Sequence, residues 1–290
     1  MKIFVITRKT LYIAAACILA AVLAAVLIGV FSAPKGREKS ASAAPQSGQP
    51  ASPVSVSAEG LLSSSEAYEK EVLAGLHREL PVYSVARSDK KIALTIVAAW
   101  DDDKTPFILE TLKRYNVKAT FFLCGFWVKA YPEQVKAISE AGHAIGNHSM
   151  SHPHMTKLSP DQILNEIGSL DDLIESITGE RTVLFRAPFG EYDDKVIRAV
   201  RDSGHEAIQW DIDTIDWKPE RSSQKILDTV FSKLDEGSII LCHNNGYKIE
   251  EYLPTLLETA LANGFEFVTV DELLLPGETL IDVNGVQKSK

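Results

Sequence analysis

Hydrophobic positions fall into three regimes along this chain. Leu11 to Phe31 is a run of 21 residues without a charged group, dominated by Ala, Leu, Val and Ile. Its length matches a helix that crosses a bilayer and exceeds the apolar part of a cleavable signal; Pro34, directly behind Ser32 and Ala33, makes a poor cleavage site. An uncleaved single-pass anchor over 11–31 is therefore expected, preceded by a short segment, 1–10. Residues 32–60 are rich in Ser, Ala, Pro, Gly and Gln and lack aromatics. They read as a disordered tether, spanning roughly 30 Å as a coil.

From Leu61 the pattern is globular. Residues 65–80 predict a short helix ended by Pro81, and Val82–Ala86 and Lys91–Ala98 predict two strands of a hairpin around residues 87–90. Helical and strand periods then alternate. Thr105-Pro106 reads as an N-cap with proline at the first helical position, opening a helix to Tyr115. A strand at 119–124, a helix at 132–141 and a strand at 144–146 follow. Ser159-Pro160-Asp161-Gln162 is a capping box that opens a helix to about Ile177, stopped at Thr178-Gly179. Strands at 183–186, 207–211, 238–242 and 265–270 are separated by helices at 194–203, 223–235 and 251–263. Seven β units counted from Lys91, with helices between them, predict a parallel α/β fold: a distorted, closed or nearly closed (β/α) barrel over 91–275. Residues 61–90 form an extension to it, and 276–290 a polar, peripheral tail.

Charge sharpens this division. Residues 1–60 carry six Lys/Arg against two Glu, so 24 basic residues face 37 acidic ones from 61 to 290. The acidic body excludes general nucleic-acid binding, which depends on neutralising phosphates. Cys17, Cys124 and Cys242 each sit in or at the end of an apolar run, with no Cys-x-x-Cys spacing, and read as small buried thiols.

In (β/α) barrels the chemistry gathers at the C-terminal ends of the strands. Those ends here contain Trp100-Asp101, Asn147-His148, Arg186-Ala187-Pro188-Phe189-Gly190, Asp211 to Trp217 and Cys242-His243. His148 and His152, four apart, suit one cation on a single helical turn, with Pro153 limiting any continuation. Trp100 and Trp217 suit stacking against a sugar face.

These segments, in this order, resemble the polysaccharide deacetylase family, the NodB-homology domain of carbohydrate esterases, over about Val82 to Leu275. The resemblance implies a distorted NodB-like (β/α) barrel, one divalent metal (zinc, with cobalt an alternative) and hydrolysis of acetyl groups on glycans. It implies His148 and His152 as metal ligands and Arg186-x-Pro188-x-Gly190 as one wall of the groove, with Arg186 paired to the catalytic carboxylate. It implies Asp213-x-x-Asp216-Trp217 as the source of the acid behind the catalytic histidine, with Asp213 assigned that role and Trp217 an aromatic wall. Leu241-x-His243 supplies the histidine that protonates the leaving amine. The first motif departs: where the family usually shows Thr-Phe-Asp-Asp, this chain has Thr95-Ile96-Val97-Ala98. Val97 stands in the place of the base and Ala98 in that of the metal's carboxylate. Asp101, Asp102 and Asp103 are the acids available to compensate.

Three readings follow. The first is a membrane-anchored deacetylase with its N-terminus in the cytoplasm and its body outside, acting on acetylated cell-wall glycan such as peptidoglycan or a chitin-like oligosaccharide. The second is a catalytically degenerate member that binds glycan or metal. The third is a metal-independent scaffold in wall or spore-coat assembly.

Overall fold

The computed structural model describes residues 78–290. The expected anchor, tether and most of the 65–80 helix lie outside the described residues, and residues 78–80 of that helix are not helical. Among the described residues no helix is long and apolar enough to cross a membrane.

The fold is built around β2 (Lys91–Ala98), a strand buried on both faces. Its odd and even positions feed two different cores, as a pleat requires. Ile92, Leu94, Ile96 and Ala98 pack outward beneath helices, whereas Ala93 and Val97 face an inner cluster with Phe122, Leu184 and Leu241. Parallel neighbours flank β2 on both sides: β3 (Thr120–Leu123) on one and β8 (Ile239–His243) on the other. The sheet continues from β3 through β4 (Ala144–Asn147) and β5 (Leu184–Phe185) to β6 (Glu206–Ala207), and from β8 to β7 (Ile212–Asp213). A short β9 (Glu266–Phe267) pairs with the beginning of β2.

The helices between strands follow their sequence signals. They are α1 (Thr105–Arg114), α2 (Gly125–Ala130), α3 (Pro132–Glu140), α4 (Pro160–Thr178), α5 (Asp194–Asp202), α6 (Ser223–Phe231), α7 (Ile249–Ala262) and α8 (Val270–Leu273). The capping box at Ser159 and Gln162 forms, and α4 ends on Gly179 at φ 82°, the left-handed position that favours glycine. Thr105 is inside α1 rather than capping it; Lys104 holds the cap position and Pro106 still lies in the first turn. Val270, expected to end a strand, instead opens α8, where the Glu272 carboxylate accepts Thr269 N–H at 3.0 Å.

Three other expectations change. The seven strands form a half-barrel: among the described residues β6 and β7 do not pair. Of the expected strand at 207–211 only Ala207 lies in β6, and β7 begins at Ile212; between them the carbonyls of Ile208 and Gln209 accept from the Arg186 side chain. Beside that break, Val82 N–H donates to Ala207 O and Gln209 N–H donates to Val82 O. The hairpin at 82–98 does not form, because both edges of β2 are already occupied. β1 (Ser84–Val85) instead pairs in parallel with β11 (Val286–Ser289), which is antiparallel to β10 (Thr279–Ile281). The tail is thus a hairpin holding the extension, with Gln287 buried.

Gly237 locks this extension to the barrel. It has φ 82°, its carbonyl accepts Val85 N–H at 3.0 Å, and a Cβ there would lie 1.7 Å from Val85 O. Gly237→Ala is expected to cost more than about 2 kcal/mol in urea unfolding, through the left-handed backbone and the collision together. A loss below about 0.5 kcal/mol, the range of ordinary surface changes, would show that this junction yields.

Candidate functional site

β4 delivers His148 to the rim, where its backbone N–H donates to Leu123 O and its Nδ1 donates to the Arg186 carbonyl at 2.8 Å. That bond leaves Nε2 with the lone pair, and burial pushes the imidazole well below its usual pKa. His152 returns toward it through a loop rather than along a helical turn. Ser149 (φ 65°) and His152 (φ 55°) are both left-handed, and side chains hold them there. Asn147 Oδ1 accepts Ser149 N–H, and Ser149 Oγ accepts His152 N–H. The two rings end 5.0 Å apart between centroids. Beneath them Asn147 Nδ2 donates to Asp171, a buried carboxylate on α4 that also receives Thr182 Oγ1–H and contacts His205 Nε2 at 3.3 Å. Burial of Asp171 works against ionisation, and these donors outweigh it to hold its pKa below the ordinary value. Sequence reasoning placed Asn147 at a strand end without a role, and missed Asp171 and His205. The available signal was Asp171, a charge on the apolar face of α4 among Ile163, Ile167, Leu170 and Ile174.

Arg186, at the end of β5, is buried with its guanidinium inside the half-barrel. It donates to Thr95 Oγ1 at 2.8 Å and Gln209 O at 3.0 Å, and lies 4.1 Å over the Phe122 ring. No carboxylate lies within ion-pair distance among the described residues; Asp213 acts on it only from further off. Burial pushes its pKa down to about 9. Val97, in place of the expected acid, lines the cavity with its isopropyl group.

The acid behind His243 is Asp216, which corrects the assignment of Asp213 to that role. Asp216 Oδ1 accepts His243 Nδ1–H at 2.8 Å, and Oδ2 accepts the His243 backbone N–H and the Tyr252 hydroxyl at 2.6 Å. Gly246 is required beside it, since a Cβ there would stand 2.3 Å from Asp216 Oδ2. Asp213 lines the cavity instead, with its Oδ1 engaged by Ile215 N–H. Tyr252 is a further residue that sequence reasoning missed; its place in the apolar face of α7 makes it look like core.

These elements enclose a cavity of about 490 Å³ whose walls include Trp100, Phe189, Gly190, Trp210 and Trp217. Pro188 is buried under the turn that presents Phe189 and Gly190, so it shapes the wall without forming it. None of Asp101, Asp102 and Asp103 lines the cavity. The carbonyls of Asp101 and Asp102 tie their loop to Trp127, Asn244 and Thr105, and Asp101 is itself left-handed at φ 55°.

A divalent metal in a hydrolytic site normally takes three protein ligands and water. His148 and His152 supply two. Ala98 packs against the outer core, and no group of three or more His, Cys, Asp or Glu among the described residues is arranged to hold an ion. The residues present do not fit the metal that the resemblance implies.

The fold and site together are a parallel half-barrel whose rim brings aromatic walls, a buried arginine and a histidine–aspartate pair to one cleft. Comparison with known proteins makes this specific. A family model for polysaccharide deacetylases matches residues 84–208. The peptidoglycan-N-acetylglucosamine deacetylase PgdA of Listeria monocytogenes is 36% identical over 67% of this chain, which spans 41% of the length of that relative. The peptidoglycan-N-acetylmuramic acid deacetylase PdaA of Bacillus subtilis is 31% identical over 66% of this chain and 73% of its own length. A solved structure of BA3943 from Bacillus anthracis, a pseudoenzyme of carbohydrate esterase family 4, superposes with a TM-score of 0.64 at 36% identity, over 67% of this chain and 68% of that one; a mutant of BA3943 has restored enzymatic activity. The chain belongs to the polysaccharide deacetylase family.

Proposed function

We propose that this protein is a non-hydrolysing member of its family, which holds N-acetylated amino sugars of the cell wall in the rim cavity without cleaving the amide. The observation that carries this reading is the pair Val97 and Ala98 at the end of β2. With them the cavity has neither a third metal ligand nor a base beside Arg186. A general base alone contributes about 10²–10⁴-fold to such a reaction, so its loss with the metal ligand leaves binding as the surviving property. The glycan walls remain: Trp100 and Trp217 line the cavity and are half exposed. The likeness to the pseudoenzyme BA3943 supports the reading, and the likeness to PgdA and PdaA supports peptidoglycan as the ligand. The apolar run 11–31 and the tether behind it fit an anchored protein whose barrel reaches the wall from the outer face of the membrane.

One observation favours slow hydrolysis instead: the His243–Asp216 pair is intact at 2.8 Å. The full chain decides between the two readings with peptidoglycan and N-acetylglucosamine oligomers, with and without added zinc or cobalt. The expected result is saturable binding, abolished by Trp217→Ala, with acetate release at background under every metal condition. Acetate release that His148→Ala abolishes would replace binding by turnover, and failure to bind either glycan would remove the glycan reading altogether.

A further inference from the structure

Arg186 brings more donors to the cavity wall than the protein uses. A guanidinium carries five N–H groups in a planar fork, and the described residues accept three of them. Nε–H reaches Ile208 O at 3.5 Å, Nη1 donates to Thr95 Oγ1 at 2.8 Å and Nη2 to Gln209 O at 3.0 Å. Thr95 spends its own hydroxyl proton on Ile240 O at 2.7 Å, so toward Arg186 its oxygen can only accept. One N–H on each terminal nitrogen is left without an acceptor among the described residues. Two such N–H groups are what a carboxylate takes up at once. Arg186 is 1% exposed, so its charge is almost cut off from solvent. Burial lowers its pKa only to about 9, which leaves it cationic at neutral pH.

The surrounding wall suits an anion better than a cation. Val97, Trp210 and Leu241 are apolar, and the wall contains a single acid, Asp213. Asp213 Oδ1 accepts Ile215 N–H at 2.7 Å, and its charge reaches the guanidinium only from beyond ion-pair distance. Apolar surroundings strengthen any ion pair formed among them. The usual obstacle to such a pair is the cost of stripping water from both ions. Here the cation is already desolvated by folding, so an entering anion bears only its own share.

We infer that the rim cavity is an anion site, in which a carboxylate of the ligand pairs with Arg186 on the face of β2 shared by Thr95 and Val97. The inference deepens the glycan reading above, on which it rests for the sugar: the ligand is an N-acetylated amino sugar that carries a carboxylate. Carboxylate chemistry has two sources, the sugar acid itself and a free carboxylate such as acetate, and the test separates them.

Calorimetry on the full chain at fixed ionic strength uses three probes: N-acetylmuramic acid, N-acetylglucosamine and sodium acetate. N-acetylmuramic acid adds a carboxylate to the same sugar. It is expected to bind at least about tenfold more tightly than N-acetylglucosamine, the scale of hydrogen bonds to a charged group. Acetate is expected to compete with it. Val97→Asp puts a side-chain acid beside Arg186 and should abolish acetate binding and the preference together. Val97→Asn, of the same shape and uncharged, should keep both. Should Val97→Asp fail to fold, the three probes on the native chain decide. A preference that survives Val97→Asp would overturn Arg186 as the partner. Acetate binding without a preference between the sugars would keep the anion site and overturn the sugar acid as its occupant. Equal affinity for the two sugars with no acetate bound would overturn the anion site and leave the glycan reading standing. Absence of binding by either sugar would sink that reading, while acetate alone would still judge the site.

Discussion

Val97→Asp/Ala98→Asp is expected to raise zinc-dependent acetate release from N-acetylated oligosaccharide at least about 10²-fold above the native chain, the lower bound for restoring one general base. The argument begins with Arg186. A buried guanidinium without a carboxylate is costly, and here it is met by two carbonyls, a hydroxyl and the rings of Phe122 and Trp210. Val97 is two residues from Thr95, on the same face of β2, and Thr95 Oγ1 already accepts from Arg186 Nη1. An aspartate at 97 therefore enters the cavity beside a waiting counter-ion, and the usual penalty for burying a carboxylate is offset. Val97→Asp by itself is expected to keep the fold and stay silent, for want of the third metal ligand. The second substitution asks more of the backbone. Ala98 is the last residue of β2 and packs outward, so its carboxylate reaches the histidines only if the strand end turns. Adding His148→Ala to the double variant should return acetate release to background. A double variant that binds zinc no better than the native chain and releases no acetate would show that the strand end does not turn.

The second large effect is a loss of stability in acid through His143. This imidazole is buried between β3 and β4, its Nδ1 accepts Ala119 N–H at 3.2 Å, and its ring packs against Phe121. Burial, then the charge of Lys118, pushes its pKa down to about 4. The unfolded chain takes up the proton near pH 6.5, the ordinary histidine value, whereas the folded protein refuses it until about pH 4. The folded state is thus at full advantage above pH 6.5 and loses it progressively as the pH falls through that window. The loss attributable to this one group is about 3 kcal/mol by pH 4. His143→Asn keeps an acceptor for Ala119 N–H and cannot titrate. Urea unfolding of both proteins at pH 7.5 and pH 4.5 should show a clearly smaller fall in the variant; parallel falls would assign the acid sensitivity to other groups.

Much of the barrel was legible in the residues because its signals are local. The alternation of apolar periods, the Ser159–Gln162 capping box and the Gly179 stop each depend on a few neighbouring residues, and each appears where the pattern places it. The order of strand ends was legible for the same reason, since parallel strands joined by helices send all their C-terminal ends to one rim. That is why His148, Arg186, Asp213, Trp217 and His243 could be expected around one cavity before any fold was drawn. The absence of an acid at Val97 and Ala98 was legible too, because it needs only the motif and the residues in it.

Tertiary structure decided the rest. Asp213 ends β7 and Asp216 follows three residues later, and both are acids of the same motif. Only the left-handed turn at Ile215 (φ 54°) and the space left by Gly246 place Asp216, rather than Asp213, against His243. Asp171 meets Asn147 across 24 residues, and β1 meets β11 across about 200, contacts that no local period encodes. The hairpin expected at 82–98 failed because β2 takes β3 and β8 as neighbours, each brought to its edge by a crossover elsewhere in the chain. His152 shows the division most plainly. Its spacing from His148 suggests a ligand pair, but whether a ring four residues on meets a metal or two aromatic neighbours depends on what the loops after β2 and β5 place beside it. Those loops lie dozens of residues away, and they bring Trp100 and Phe189.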